Sequence, residues 1–160
     1  MIDPLSAKLL GLDIDWFAVD CDGSLGHFTS NGTLIVPPAV REKIEFWKEI
    51  THRLLEIPES EGSSNLHQNA ETWEPWLRSA EASKRSEYYG VSEEWSNRGF
   101  FSFDCPRKLD GNPYFMVTSP RVPRPISDLQ PEIKYAIGNL RFGFSFSTCE
   151  LIPAKTILNL

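Results

Sequence analysis

The sequence has little of what stabilises secreted proteins or anchors membrane proteins. It contains three cysteines among 160 residues, an odd number at wide spacing, which does not make a disulfide framework. No apolar run reaches the length of about 18 residues that a membrane-spanning helix needs. The first residues lack the basic, apolar and small-residue order of a signal peptide. We therefore expect a cytoplasmic protein without membrane association.

The common signatures of catalytic and metal sites are also absent from the sequence. None of the three histidines lies at a spacing from cysteine that is typical of zinc ligands. No Gly-x-Ser-x-Gly segment positions a nucleophilic serine, and the ten glycines are too scattered for a phosphate-binding loop. The first interpretation therefore includes no metal and no cofactor. The histidines are His27, His52 and His67, and the cysteines are Cys21, Cys105 and Cys149.

Acidic residues are in excess and unevenly placed. The 22 Asp and Glu residues exceed the 16 Lys and Arg residues to give a net charge of −6, which argues against nucleic-acid binding. Residues 56–98 hold nine acidic and four basic residues, and a concentrated acidic face speeds association with a basic partner. Trp95, beside two of these acids, would anchor such a partner if it were exposed. The predicted partner-binding residues are Glu71, Glu74, Glu81, Glu93, Glu94 and Trp95.

The pattern of residues 14–54 predicts a β-hairpin followed by a helix. Two strand-like segments flank Asp22-Gly23, a pair suited to a two-residue hairpin turn because both central positions need positive φ. A helix begins near Pro38 and carries apolar residues at helical spacing as far as Leu54.

The next stretch predicts a surface loop and a second helix. Residues 57–68 are rich in Ser, Glu and Asn, as is typical of a loop. The helix is expected to begin near Thr72 or Glu74 and to end at Gly90, a common terminating residue. The tryptophans on helical apolar stripes, which we expect in the core, are Trp47, Trp73 and Trp76.

The remainder of the chain reads mainly as strands. Residues 100–105 and 114–118 are aromatic-rich runs, and Asp110-Gly111 between them predicts a hairpin. A short helix is expected over residues 131–137. The alternation of Phe142, Phe144 and Phe146 predicts a further strand. Together these elements predict one α+β domain over residues 1–160, with a mainly antiparallel sheet and two principal helices.

Residues 17–25 resemble the first motif of the haloacid dehalogenase-like phosphatases. In that motif one aspartate follows a strand, and a second aspartate comes two positions later. The resemblance implies that Asp20 is the nucleophile and Asp22 the general acid and base, with magnesium neutralising the phosphate. It further implies that Thr118 binds phosphate and that Lys134 is the family lysine. The family also needs an acidic cluster after that lysine, where this sequence has only Glu150.

A broader resemblance covers most of the chain. The segments Trp16-Phe17-Ala18-x-Asp20 and Phe28-Thr29-Ser30-x-Gly32 are similar to the opening of a group of small, poorly characterised bacterial proteins. Residues 99–104 and 125–129 are similar to later features of the same group. Such small acidic proteins are suspected of being immunity partners of secreted toxins, an analogy that assigns no individual site residue.

Three functions therefore follow as hypotheses. The favoured one is a non-catalytic interaction protein, an inhibitor or immunity factor that uses an acidic surface on a basic protein partner. The alternative is a magnesium-dependent phosphatase that uses Asp20 and Asp22. The third is a structural subunit whose phenylalanine-rich strands pair across a homo-oligomer.

Overall fold

The computed structural model describes residues 8–60, 64–106 and 113–160. The predicted turn at Asp110-Gly111 lies outside these residues. The strands are β1 Asp15–Val19, β2 Leu25–Thr29, β3 Ser64–Leu66, β4 Phe101–Asp104, β5 Tyr114–Pro120 and β6 Leu151–Ile152. The α-helices are α1 Pro38–Arg41, α2 Ile44–Leu55, α3 Asn69–Trp73, α4 Ala82–Asn97, α5 Pro131–Gly138 and α6 Ala154–Leu158. Single-turn 3₁₀ helices occupy Pro75–Arg78, Ile126–Asp128 and Phe146–Thr148.

The strands form one mixed sheet in the order β1-β2-β4-β5-β3, with β6 pairing with the beginning of β5. Only the β2–β4 pair is parallel among the described strands. The longest described helices are α2, with 12 residues, and α4, with 16. The expected α+β class, mainly antiparallel sheet and two principal helices are therefore confirmed. No helix in the described parts of the chain has the length and apolar character to cross a bilayer.

The predicted hairpin is present, but its turn is longer than expected. β1 and β2 pair antiparallel and close at Val19 opposite Leu25, which leaves residues 20–24 as a five-residue loop. The prediction of a two-residue turn at Asp22-Gly23 was wrong, because the side chain of Asp20 accepts hydrogen bonds from loop amides and stabilises a longer loop. Gly23 retains the positive φ, at 84°.

Aromatic side chains fill one face of the sheet. Trp16 stacks on Phe28 at 4.2 Å between ring centroids, and Phe28 stacks on Phe103 at 4.9 Å. The Phe146 ring packs against Phe28 and Phe103 from outside the sheet. Gly26 lies beneath these rings, since a Cβ atom there would lie 2.7 Å from the Phe146 ring and 2.9 Å from the Phe28 ring.

Residues 141–147 do not form the strand that their alternation predicts. Arg141 makes one isolated bridge with Val19, and the segment then enters the Phe146–Thr148 turn. Phe142 and Phe146 point into the core and are buried. This segment therefore provides no phenylalanine-rich strand of the kind that the structural-subunit hypothesis pairs across a homo-oligomer.

The second principal helix lies later in the chain than its pattern predicts. Residues 69–78 form α3 and a 3₁₀ turn, whereas α4 begins at Ala82 and continues through Gly90 to Asn97. The buried positions of α4 include Ser92 and Ser96 as well as aromatic residues, so the helix has no clean apolar stripe. The predicted loop at 57–68 contains the short edge strand β3.

Arg98 holds the C-terminal end of α4 in place. Its guanidinium donates hydrogen bonds to the carbonyl oxygens of Ile57 at 2.8 Å, Glu94 at 2.9 Å and Leu55 at 3.2 Å. The last carbonyls of a helix have no partner within the helix, so this side chain satisfies groups at the ends of both α2 and α4. The position of α4 over the sheet is thereby fixed.

Gly26→Ala is expected to lower the free energy of unfolding by about 1–3 kcal/mol, because the added methyl group overpacks the aromatic face. The matched change Gly90→Ala lies in α4 with no neighbouring atom within 4 Å of the added Cβ. It is expected to raise stability by about 0.5–1 kcal/mol through helix propensity. Urea denaturation of both variants measures the difference, and equal effects would contradict this packing.

Candidate functional site

The sheet face beneath α4 carries a line of polar side chains. His27 in β2 lies 2.7 Å from Asp15 in β1 through Nε2 and 2.9 Å from Ser102 in β4 through Nδ1. A catalytic serine triad consists of the same three residue types. No pattern in the sequence grouped these three residues. Ser102 and His27 have no exposed surface, and Trp95 stacks on the imidazole at 4.8 Å. The arrangement therefore satisfies buried polar groups and offers no nucleophile to a substrate.

The same face continues to an open cleft beside the middle of α4. Its cavity volume is about 370 Å³, within the usual range for ligand pockets. The N-terminal segment, the α3–3₁₀ junction, α4 and the end of β4 all contribute to its walls. We call it the acidic cleft and define it by four carboxylates and two aromatic residues. These are Asp13, Glu74, Glu87, Asp104, Trp76 and Tyr88.

Asp104 forms the floor of the acidic cleft and is 5% exposed. Its carboxylate accepts hydrogen bonds from the Tyr88 hydroxyl at 2.7 Å and from the Cys105 amide at 2.7 Å. Burial raises the pKa of Asp104 to about 7, with smaller contributions from Glu74 and Asp13, although both hydrogen bonds act in the opposite direction. Burial and the neighbouring Asp104 raise the pKa of Tyr88, which stays protonated and remains a donor.

Trp76 lies at the cleft wall and is 46% exposed. Its indole N–H donates to Glu74 at 2.9 Å, and Asn31 donates to the other oxygen of that carboxylate at 3.4 Å. The Trp76 ring meets the Tyr88 ring edge-on, with centroids 5.8 Å apart and planes at 87°. The expectation that Trp76 belongs to the core was wrong, because its segment is a surface 3₁₀ turn and not part of a packed helix.

The predicted partner-binding residues are only partly brought together. Glu74 lines the acidic cleft, whereas the other five do not. Glu71 pairs with Arg85, and Glu94 pairs with Arg98 at 3.3 Å, so these two charges are already balanced. Glu81 is exposed just before α4, and Glu93 is half-buried on that helix.

Trp95 cannot anchor a partner. It is 3% exposed, packed between the sheet and α4 against His27, Phe17 and Phe100. The charged residues that precede it in the sequence lie on the outer side of the helix, while its own position faces inward. The exposed tryptophan of this region is Trp76.

The residues of the phosphatase alternative lie apart. Asp20 follows β1, whereas Thr118 lies in β5, three strand spacings or about 14 Å across the sheet. The Thr118 hydroxyl is buried and bonds to Ser96 and to the Ser92 carbonyl. Asp22 and Lys134 are both exposed, in the β1–β2 loop and on α5.

Asp20 is fully buried and accepts three backbone hydrogen bonds. Its Oδ1 atom accepts from the amides of Asp22 at 2.9 Å and Ser24 at 2.8 Å, and Oδ2 accepts from the Phe146 amide at 2.8 Å. Arg141 donates to its main-chain carbonyl at 2.9 Å. The carboxylate therefore joins the β1–β2 loop to the segment that carries the core phenylalanines. Within the described residues, no group of three or more His, Cys, Asp and Glu side chains is arranged to hold a metal ion.

Asp20→Asn is expected to lower the free energy of unfolding by about 2–3 kcal/mol, since an amide NH₂ would face a backbone donor. The control Asp22→Asn changes an exposed residue and is expected to shift stability by less than about 0.5 kcal/mol. Urea denaturation gives both values. The phosphatase alternative predicts in addition that both variants abolish magnesium-dependent hydrolysis of a phosphate ester, which a phosphatase assay measures.

The pKa of Asp104 predicts a pH dependence of stability. An acid with a higher pKa in the folded state binds more protons there than in the unfolded state, so its contribution to stability falls as pH rises. Between about pH 4 and pH 7, wild type is expected to lose roughly 2–4 kcal/mol relative to Asp104→Asn, which stays neutral. Urea denaturation at several pH values measures this difference, and parallel profiles would contradict it.

Comparison of the chain with family models, curated proteins and solved structures finds no match. Its function is therefore inferred from the residues and geometry of the acidic cleft.

Proposed function

We propose that this protein is a non-catalytic interaction module that binds a basic segment of a partner protein in the acidic cleft. The observation that carries the proposal is the convergence of four carboxylates on one cavity, those of Asp13, Glu74, Glu87 and Asp104. A positively charged side chain of a partner protein would be attracted to these carboxylates.

The electrostatics of the cleft favour a cationic guest. Like charges brought together on a folded surface repel one another. Burial of Asp104 adds to the free-energy cost of keeping its carboxylate ionised. Local arrangements that lower stability in this way are concentrated at functional sites. A bound cation stabilises the ionised carboxylates and relieves the repulsion.

The surroundings of the cleft fit a protein partner. Trp76 is a large exposed aromatic side chain at its wall, and tryptophan is enriched among residues that dominate interface energies. The resemblance to small bacterial proteins suspected of immunity functions points the same way, toward an inhibitor of a basic target. We place this interaction in the cytoplasm, because Cys21, Cys105 and Cys149 are all free thiols.

The test uses one charge reversal inside the cleft and one outside it. Glu87 is exposed on α4 and lines the cleft, whereas Glu81 is exposed just before α4 and does not. At low salt, Glu87→Lys is expected to slow association with a lysine-rich peptide by about 3–10-fold. Stopped-flow kinetics or surface plasmon resonance measures the rates.

Glu81→Lys changes the net charge equally and is expected to have a much smaller effect. Equal slowing by both variants would show that the net charge, and not the cleft, attracts the peptide. Unchanged rates in Glu87→Lys would contradict the proposal. The difference between variants is expected to shrink at physiological salt, where charges are screened beyond about 8 Å.

A further inference from the structure

A second cavity lies between the segment before β1 and the helix α2. Its volume is about 200 Å³, below the roughly 300–1,000 Å³ of sites for drug-sized ligands, so it suits a smaller molecule. Residues 12–15 form one wall, and α2 forms the other through Ile44, Lys48, Thr51 and His52. The first wall carries two carboxylates, whereas the second carries an ammonium group and an imidazole.

Asp15 brings a carboxylate of fixed orientation to the first wall. The Nε2–H group of His27 donates to its Oδ1 atom at 2.7 Å, and the Nδ1 atom of His27 lies 2.9 Å from the Ser102 hydroxyl. His27 and Ser102 are fully buried, whereas the Asp15 side chain is 40% exposed. The buried pair therefore orients an acid that reaches the surface at this cavity. Asp13 adds a second carboxylate to the same wall and also lines the acidic cleft.

The opposite wall offers a cation. Lys48 and His52 are exposed and lie about one turn apart on α2. Lys48 pairs with Glu45 at 2.8 Å, but both side chains are more than half exposed, and an ion pair of this kind contributes little free energy. Within the described ranges, no ion pair joins Lys48 to Asp13 or Asp15. Charges of opposite sign thus line one cavity without neutralising each other by direct contact.

A ligand that carries both charges is complementary to both walls. A free α-amino acid has an ammonium group with three N–H donors and a carboxylate that only accepts. Hydrogen bonds between charged groups are the stronger ones, so the ammonium group suits Asp15 and the carboxylate suits Lys48. The other lining residues include Leu12, Ile14 and Ile44, which provide apolar contacts for an aliphatic side chain.

We propose that this cavity binds a free α-amino acid with an aliphatic side chain. Asp15 accepts hydrogen bonds from the ammonium group, Lys48 donates to the carboxylate, and the side chain packs on Ile14 and Ile44. His27 is a positioning residue, because it acts on the ligand only through Asp15. Binding at this cavity needs no basic partner, so it goes beyond the interaction proposed for the acidic cleft.

The experiment compares three ligands of one carbon skeleton by NMR titration of the whole chain. L-Leucine has both charged groups, L-leucinamide lacks the carboxylate, and 4-methylpentanoate lacks the ammonium group. L-Leucine is expected to bind about 5–10-fold more tightly than either analogue, since each missing group leaves one wall without a charged partner. The amide resonances of residues 12–15 and of α2 are expected to shift.

Each charged wall has its own variant. Asp15→Asn keeps an oxygen that can accept from His27, and it is expected to weaken binding of L-leucine about 5-fold and to leave 4-methylpentanoate unchanged. Lys48→Met keeps an unbranched side chain, and it is expected to weaken L-leucine about 5-fold and to leave L-leucinamide unchanged.

The matched control is Lys84→Met, which removes an exposed lysine on α4 that does not line this cavity. It is expected to leave all three affinities unchanged. Thermal unfolding confirms that each variant is folded, and Lys48 is exposed, so its replacement does not disturb the core.

Three results would overturn the inference. Equal affinities for L-leucine and L-leucinamide would show that the carboxylate is not recognised, and the cavity would then suit the N-terminal residue of a peptide equally well. Equal affinities for L-leucine and 4-methylpentanoate would show that Asp15 contributes nothing. Absence of shifts at this cavity with L-leucine would exclude the ligand class. None of these results affects the acidic cleft, which is tested separately with Glu87→Lys.

Discussion

The hydrogen bonds of the Asp20 carboxylate join parts of the chain that are distant in sequence. They close the β1–β2 loop locally and reach the Phe146 amide, 126 residues further along the chain. Phe146 then packs its ring over Gly26, Phe28 and Phe103, so the aromatic face of the sheet depends on a contact made by one buried charge. A buried carboxylate needs such donors in any fold, and here the three backbone amides provide them.

The opposite face of the sheet positions the acidic cleft through polar contacts. His27 is bonded to Asp15 and Ser102, while Thr118 is bonded to α4 through Ser96 and the Ser92 carbonyl. Directional hydrogen bonds of this kind restrict the rotation of a helix about its axis and its distance from the sheet more than apolar contacts do. Arg98 fixes the end of the same helix. Tyr88 and Glu87 consequently face the cleft at defined positions.

Some of this structure follows directly from the sequence. The hairpin, α2 and the strands β4 and β5 were predicted because each has a clear periodicity of apolar residues and recognisable boundary residues. The position of α4 was missed because serines share its buried side. The cleft was missed for a different reason: its four carboxylates come from separate elements between residues 13 and 104, and only tertiary contacts bring them together. Trp95 was predicted to bind a partner because acidic residues precede it, whereas the exposed tryptophan of this region is Trp76. Charge density along the chain does not determine which side of a helix faces solvent.

The floor of the acidic cleft has a thermodynamic consequence for whatever binds above it. With a pKa of about 7, the Asp104 carboxyl is about half protonated in neutral solution. A cation in the cleft favours the ionised form, so the guest and a proton compete for the same negative charge. Under the proposed function, occupancy of the cleft is therefore linked to acidity, and mild acidification is expected to weaken binding of a cationic segment.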